Sequence, residues 1–132
     1  MNQGQIIKEI DLAFEEERYI ECIAMVNIWV ENIVRLMVRN WKDKVFVDKK
    51  IPLEYDNQIT DWIEHTRLSS LIHASFLMEV IDSVLYGKLR DFNKERNNFT
   101  HNLDYIYEIN KSQVKKHKNL GKDIINSMLS TM

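Results

Sequence analysis

Between Tyr19 and Trp41 the apolar residues recur every three or four positions, and this stretch constrains the fold more than any other. Ile20, Ile23, Val30, Val34, Met37 and Trp41 keep the helical period, with Asn27 as the one polar exception in the row. Met25, Val26, Ile28 and Ile33 widen the same face. A helix with so much apolar circumference must be covered on several sides, so it belongs at the centre of a bundle. The whole chain holds only three Gly and one Pro, too few for a loop-rich β fold.

The flanking segments read in the same way. In "GQIIKEIDLAFEEE", Ile6, Ile10, Ala13 and Phe14 share a face, which predicts an earlier helix nearly continuous with the long one. The pattern breaks over residues 42–56, "KDKVFVDKKIPLEYD", which reads as a connector ending at Asp56, a good N-cap. Within it "KVFV" has strand character but no evident pairing partner. Ile59, Trp62 and Ile63 fit a short helix. Ser69 or Ser70 can cap the next, with Ile72, Phe76, Leu77, Val80, Ile81, Val84 and Leu85 on a wide apolar face and Gly87 as its stop. "KLRDFNKE" adds a further turn or two. A helix then carries Leu103, Ile106, Tyr107 and Ile109. Asn110 or Ser112 can start the last helix, with Val114, Leu120, Ile124, Ile125 and Met128 inward. The expectation is an all-α fold: one domain over residues 1–132, a bundle of about four or five principal helices.

Composition narrows the function. Net charge is −2, which argues against broad charge-driven nucleic-acid binding but leaves room for a local basic site. Lys111, Lys115, Lys116, Lys118 and Lys122 gather near the C-terminus. Their simplest reading is a solvated helix face, with His117 solvated among them. No apolar run approaches the roughly 20 residues that cross a bilayer. "MNQGQIIKEIDLAFEEE" lacks a basic start and an apolar core, so a cytoplasmic protein without a membrane partner is expected. Cys22 is the single cysteine and sits in an apolar row as a small core residue. There is no Gly-rich phosphate loop, nucleophile elbow or Cys–His pair, and no HExxH for a metal, so no cofactor is expected. His65 and His73 read as surface residues. Trp29, Trp41 and Trp62 read as core or interface residues.

One motif carries chemistry: "RNNFTH", Arg96 to His101. The spacing alone is weak, since composition gives any arginine a histidine five places on roughly 3% of the time. Geometry is also unhelpful in a straight helix, where five steps separate two side chains by about 140°. The pair meets more naturally if Asn97 or Asn98 caps a new helix, with Arg96 outside and His101 in its first turns. Such a helix end favours an anion. Arginine offers a planar donor fork to phosphate, and histidine moves a proton near neutral pH.

Arg96-Asn97-x-x-x-His101 resembles the R-x(4–6)-H signature of the HEPN superfamily, the higher eukaryotes and prokaryotes nucleotide-binding domains. A polar residue directly after the Arg, here Asn97, is common in that family, as are an all-α bundle and a motif in the C-terminal half. "YIECIAMVNIWVENIVRLM" is similar to the long family helix that carries a glutamate amid apolar residues, here Glu31. The resemblance is specific over about six residues. It implies a metal-independent endoribonuclease in which two subunits face their motifs across a cleft. Arg96 would bind the scissile phosphate, His101 would act as general acid or base, and Asn97 would orient the phosphate or the Arg. Asn98, Tyr105, Lys115 and Lys116 join them as candidate RNA-binding residues. A toxin branch of the family has His-x-Tyr after the motif. Here that place is Leu103 and Tyr105 comes two residues later, so that branch and its tyrosine-based regulation are not carried over. The resemblance also implies a toxin–antitoxin or phage-defence setting, with an antitoxin or nucleotidyltransferase as partner. A non-catalytic helical binding module, nucleotide-binding in one version, is the alternative.

Overall fold

A computed structural model describes residues 2–101 and 109–132. The described residues form six α-helices and no strand: α1 (Gln3–Glu15), α2 (Tyr19–Asp48), α3 (Asp56–His65), α4 (Leu68–Leu77), α5 (Ser83–His101) and α6 (Lys111–Thr131). The all-α expectation holds, with one or two more helices than the apolar pattern suggested.

Both terminal helices begin with capping boxes. The Asn2 and Asn110 side chains accept from the backbone N–H of Gln5 and Gln113, and those glutamines accept in return from the cap N–H. Each box satisfies donors that a helix start leaves bare. The last helix therefore starts at Asn110, one of its two candidate residues. α1 is not continuous with α2, because the chain turns through Glu17 in a left-handed conformation, φ 59°. Leu103, Ile106, Tyr107 and Tyr105 lie outside the described residues.

α2 runs seven residues past the end its apolar row predicts and spans about 45 Å. The connector and strand readings of its last turns are thus corrected, and the cause is Lys42. Its side chain is 7% exposed and donates to Asp56 Oδ1 at 2.6 Å and Thr60 Oγ1 at 3.0 Å, with Asp43 2.8 Å away. This buried, paired cation ties α2 to α3 and makes another helical turn worthwhile. Asp56 is spent on that contact: it is the first residue of α3 and caps nothing with its side chain. In α3 only Ile63 is buried, while Ile59 and Trp62 face outward.

The wide apolar face drawn from Ile72 to Leu85 is divided between two helices. α4 starts at Arg67 without a side-chain cap from Ser69 or Ser70. It ends ten residues before Gly87, where Glu79 takes φ 61° and the Val80 N–H reaches back to Ser75 O at 2.8 Å. Asp82 Oδ1 then accepts from the Leu85 N–H at 2.8 Å and opens α5. Gly87 sits inside α5. The break leaves Phe76, Leu77 and Val84 exposed, although Ile72, Ile81 and Leu85 are buried.

α2 is the centre of the bundle, flanked by α1, α3, α4 and α6, and α5 packs on α4 and α6. Cys22 is fully buried, and burial raises its thiol pKa, so it behaves as a core residue. The lysine-rich face of α6 is less solvated than its composition suggests. Lys118 and Lys122 both donate to Asp11 on α1, at 3.1 and 2.9 Å. Burial alone would raise the Asp11 carboxyl; the lysine hydrogen bonds outweigh it and hold it below the usual carboxylate range.

His117 reverses its expected place altogether. It is 2% exposed, stacked 4.4 Å from Phe92 and edge-on to Phe99 at 5.1 Å. Its Nε2 lies 2.7 Å from Asn27 Oδ1. Asn27, the polar exception in the apolar row of α2, is there to receive it. A carbonyl oxygen can only accept, so Nε2 carries the proton. Nδ1 is buried without a hydrogen-bond partner among the described residues.

Gly121 sets the closeness of α2 and α6. A Cβ placed there would lie 2.3 Å from Val26 Cγ1 and 3.2 Å from Phe92 Cε2. Val26 is fully buried and its short branched side chain has nowhere to go. Gly121→Ala gains about 1 kcal/mol of helix propensity but loses up to about 3 kcal/mol to overpacking. A net loss of about 2 kcal/mol is expected as a lower urea midpoint at unchanged slope. Adding Val26→Ala should return part of it, which a double-mutant cycle would read.

Candidate functional site

The motif is the last six residues of α5, and no helix begins at Asn97 or Asn98. The expected helix N-terminus is corrected by the row Leu85, Leu89, Phe92 and Phe99, which is buried along one side of α5 and holds the helix together through the motif. Arg96 falls on that same inward row, four residues after Phe92. His101 falls on a different one: Asn93, Asn97 and His101 follow at four-residue spacing along a polar side. Arg96 and His101 thus point apart, as a straight helix requires, yet they border one cleft because Arg96 is long and lies at its inner edge.

That cleft has a volume of about 620 Å³, within the range of ligand-holding clefts. Glu31 and Arg35 of α2 form one wall, and Asn93, Arg96, Asn97 and His101 of α5 form another. The corner between α3 and α4, from Thr66 to Ser69, closes the third side. Glu31 organises the floor. Its Oε2 accepts from Arg96 Nη2 at 3.2 Å and its Oε1 from Arg35 Nη2 at 2.7 Å. Arg35 also donates to the carbonyls of Ile63 and Thr66, at 3.0 Å for the latter, so it pins the end of α3 to α2. Arg35 and Arg96 are 13% and 24% exposed, so both forks are held where a mobile surface arginine would not be. A guanidinium has five N–H donors, and Glu31 engages one nitrogen of Arg96, leaving donors for a phosphate.

Among the described residues, three arginines and one carboxylate give the cleft a formal charge of +2, on a chain whose net charge is −2. Of the residues proposed from sequence, Arg96, Asn97, His101 and Glu31 come together here. Asn98, Lys115 and Lys116 do not line it; Asn98 is on α5 and the two lysines are exposed on α6. Tyr105 lies outside the described residues. The sequence reading missed Arg35, Arg67 and Asn93. Arg35 had a local signal, its four-residue step from Glu31; Arg67 had none.

No family model matches the chain, and no curated protein or solved structure matches it either.

Proposed function

We propose that this protein is a metal-independent endoribonuclease of HEPN type. The observation that carries the reading is the gathering of Arg96, Asn97 and His101 on one positively charged cleft of an acidic all-α chain. In the reaction the ribose 2′-OH attacks the adjacent phosphorus and the bond to the 5′-oxygen breaks. The products end in a 2′,3′-cyclic phosphate and a 5′-OH. Arg96 binds the non-bridging oxygens and meets their added negative charge. His101 accepts the 2′-OH proton or donates to the leaving 5′-oxygen. In-line displacement puts those two oxygens on opposite sides of phosphorus, so one histidine cannot serve both. A homodimer that presents two copies of His101 to one RNA resolves this. The role in the cell is then toxin–antitoxin or phage defence, with an antitoxin or nucleotidyltransferase as partner.

The test is incubation of the purified protein with single-stranded RNA in excess EDTA. Fragments ending in cyclic phosphate are expected. Intact RNA, or cleavage unchanged in His101→Ala, would sink the proposal. A second reading rests on the Glu31–Arg96 bond, which occupies the phosphate-binding arginine: a module that holds a nucleotide without cutting. Nucleotide released from the purified protein on denaturation, together with intact RNA, would favour it.

A further inference from the structure

Among the described residues, Arg67 is the one arginine of the cleft that no side chain or carbonyl holds. Arg35 and Arg96 are both engaged by Glu31, but Arg67 is exposed and has no carboxylate or hydrogen-bond partner among the described residues. It stands at the α3–α4 corner, on a different wall from Arg96 and His101. Among the described residues, a guanidinium without a carboxylate at the rim of a cleft whose floor pairs two arginines with one carboxylate leaves net positive charge at that place. α4 also begins there without a side-chain cap, which adds to the same sign.

We infer that Arg67 binds a second backbone phosphate of the RNA, next to the scissile one held by Arg96. It makes the cleft selective for oligoribonucleotides over substrates with a single phosphate. This rests on the reading of the cleft as an RNA site. Arg67 is a binding and specificity residue: it touches substrate away from the reacting atoms, so it acts on KM and leaves kcat alone.

The test separates binding from cleavage. A labelled octaribonucleotide carrying 2′-O-methyl groups throughout cannot be cut, because the attacking hydroxyl is blocked. Its affinity for the intact protein is read by fluorescence anisotropy. Arg67→Ala should weaken binding about tenfold, in the range of a charge-assisted phosphate contact. It should also make the salt dependence shallower by about 0.7 in log–log slope, one phosphate contact on a single strand. Arg67→Lys should recover part of the affinity, keeping the charge without the fork. Lys49→Ala, which removes an exposed cation outside the cleft, should change nothing. In cleavage of unmodified octamer, Arg67→Ala should raise KM by the same factor with kcat within about twofold. A dinucleoside monophosphate should be cut equally by both proteins.

Octamer binding unchanged in Arg67→Ala overturns the inference, as does failure of the wild type to bind the octamer. So does an equal loss on the dinucleoside monophosphate, which would place Arg67 at the scissile phosphate. If the octamer depends on Arg67 but unmodified RNA stays intact, the phosphate subsite stands and the ribonuclease reading falls.

Discussion

If the proposed ribonuclease reading holds, His101→Ala should lower RNA cleavage by about 10²–10⁴-fold, the usual worth of a positioned general acid or base. The rate should fall without a change in folding, because His101 is exposed in the last turn of α5 and packs no core. Urea unfolding of the variant should overlay that of the wild type, which separates the catalytic loss from a structural one. Arg96→Ala should remove a similar share of activity through lost charge stabilisation in the transition state. Its cost to stability is modest, about 1 kcal/mol. Glu31 keeps Arg35 as a partner when Arg96 is gone, so no carboxylate is stranded. Arg96→Lys should not restore the rate, since an ammonium cannot bind Glu31 and a phosphate as a planar fork does. Full activity in either alanine variant would place the chemistry elsewhere.

Stability falls by about 3 kcal/mol as pH drops from near 6.5 to near 4, and His117 is the cause. Burial pushes its imidazole down to about 4 from an ordinary value of 6.5. The unfolded chain takes up a proton below about pH 6.5 that the folded chain refuses until about pH 4. The unfolded state therefore binds more protons across that window, and stability rises with pH through it. Asp11 adds a loss of the same sign lower down. Its carboxyl is held below 3.8, so its lysine contacts are lost only in stronger acid. His117→Gln keeps a group able to donate to Asn27 but cannot titrate. Its denaturation profile should be flat between about pH 6.5 and 4, at lower stability near pH 7, where the stacking on Phe92 is missing. A slope that survives in the glutamine variant would assign the acid sensitivity to other groups.

The sequence by itself determined what is local. The apolar row of α2 from Ile23 to Met37, though not Ile20 and Ile28, which are exposed, the inward face of α6 through Val114, Ile124, Ile125 and Met128, and the Asn110 start are present in spacing and capping chemistry. These follow from the helical period and from side chains that reach their own backbone a few residues away. The motif was equally legible as a set of residues, though not its place within one continuous helix. That helix is held through the motif by the buried row from Leu85 to Phe99, whose polar member, Arg96, disguised the period.

Only the tertiary structure decided which polar residues are inside and what they meet. Lys42, His117 and Lys118 all look like solvated residues, and all are buried because Asp56, Asn27 and Asp11 stand opposite them on other helices. A buried polar group is tolerated only when such a partner is in place, and nothing within a few residues reveals a partner 14, 90 or 107 positions away. The cleft was hidden for the same reason. Glu31, Arg67 and Arg96 belong to three separate stretches of chain, and packing α2, the α3–α4 corner and α5 together concentrates positive charge that the acidic total conceals.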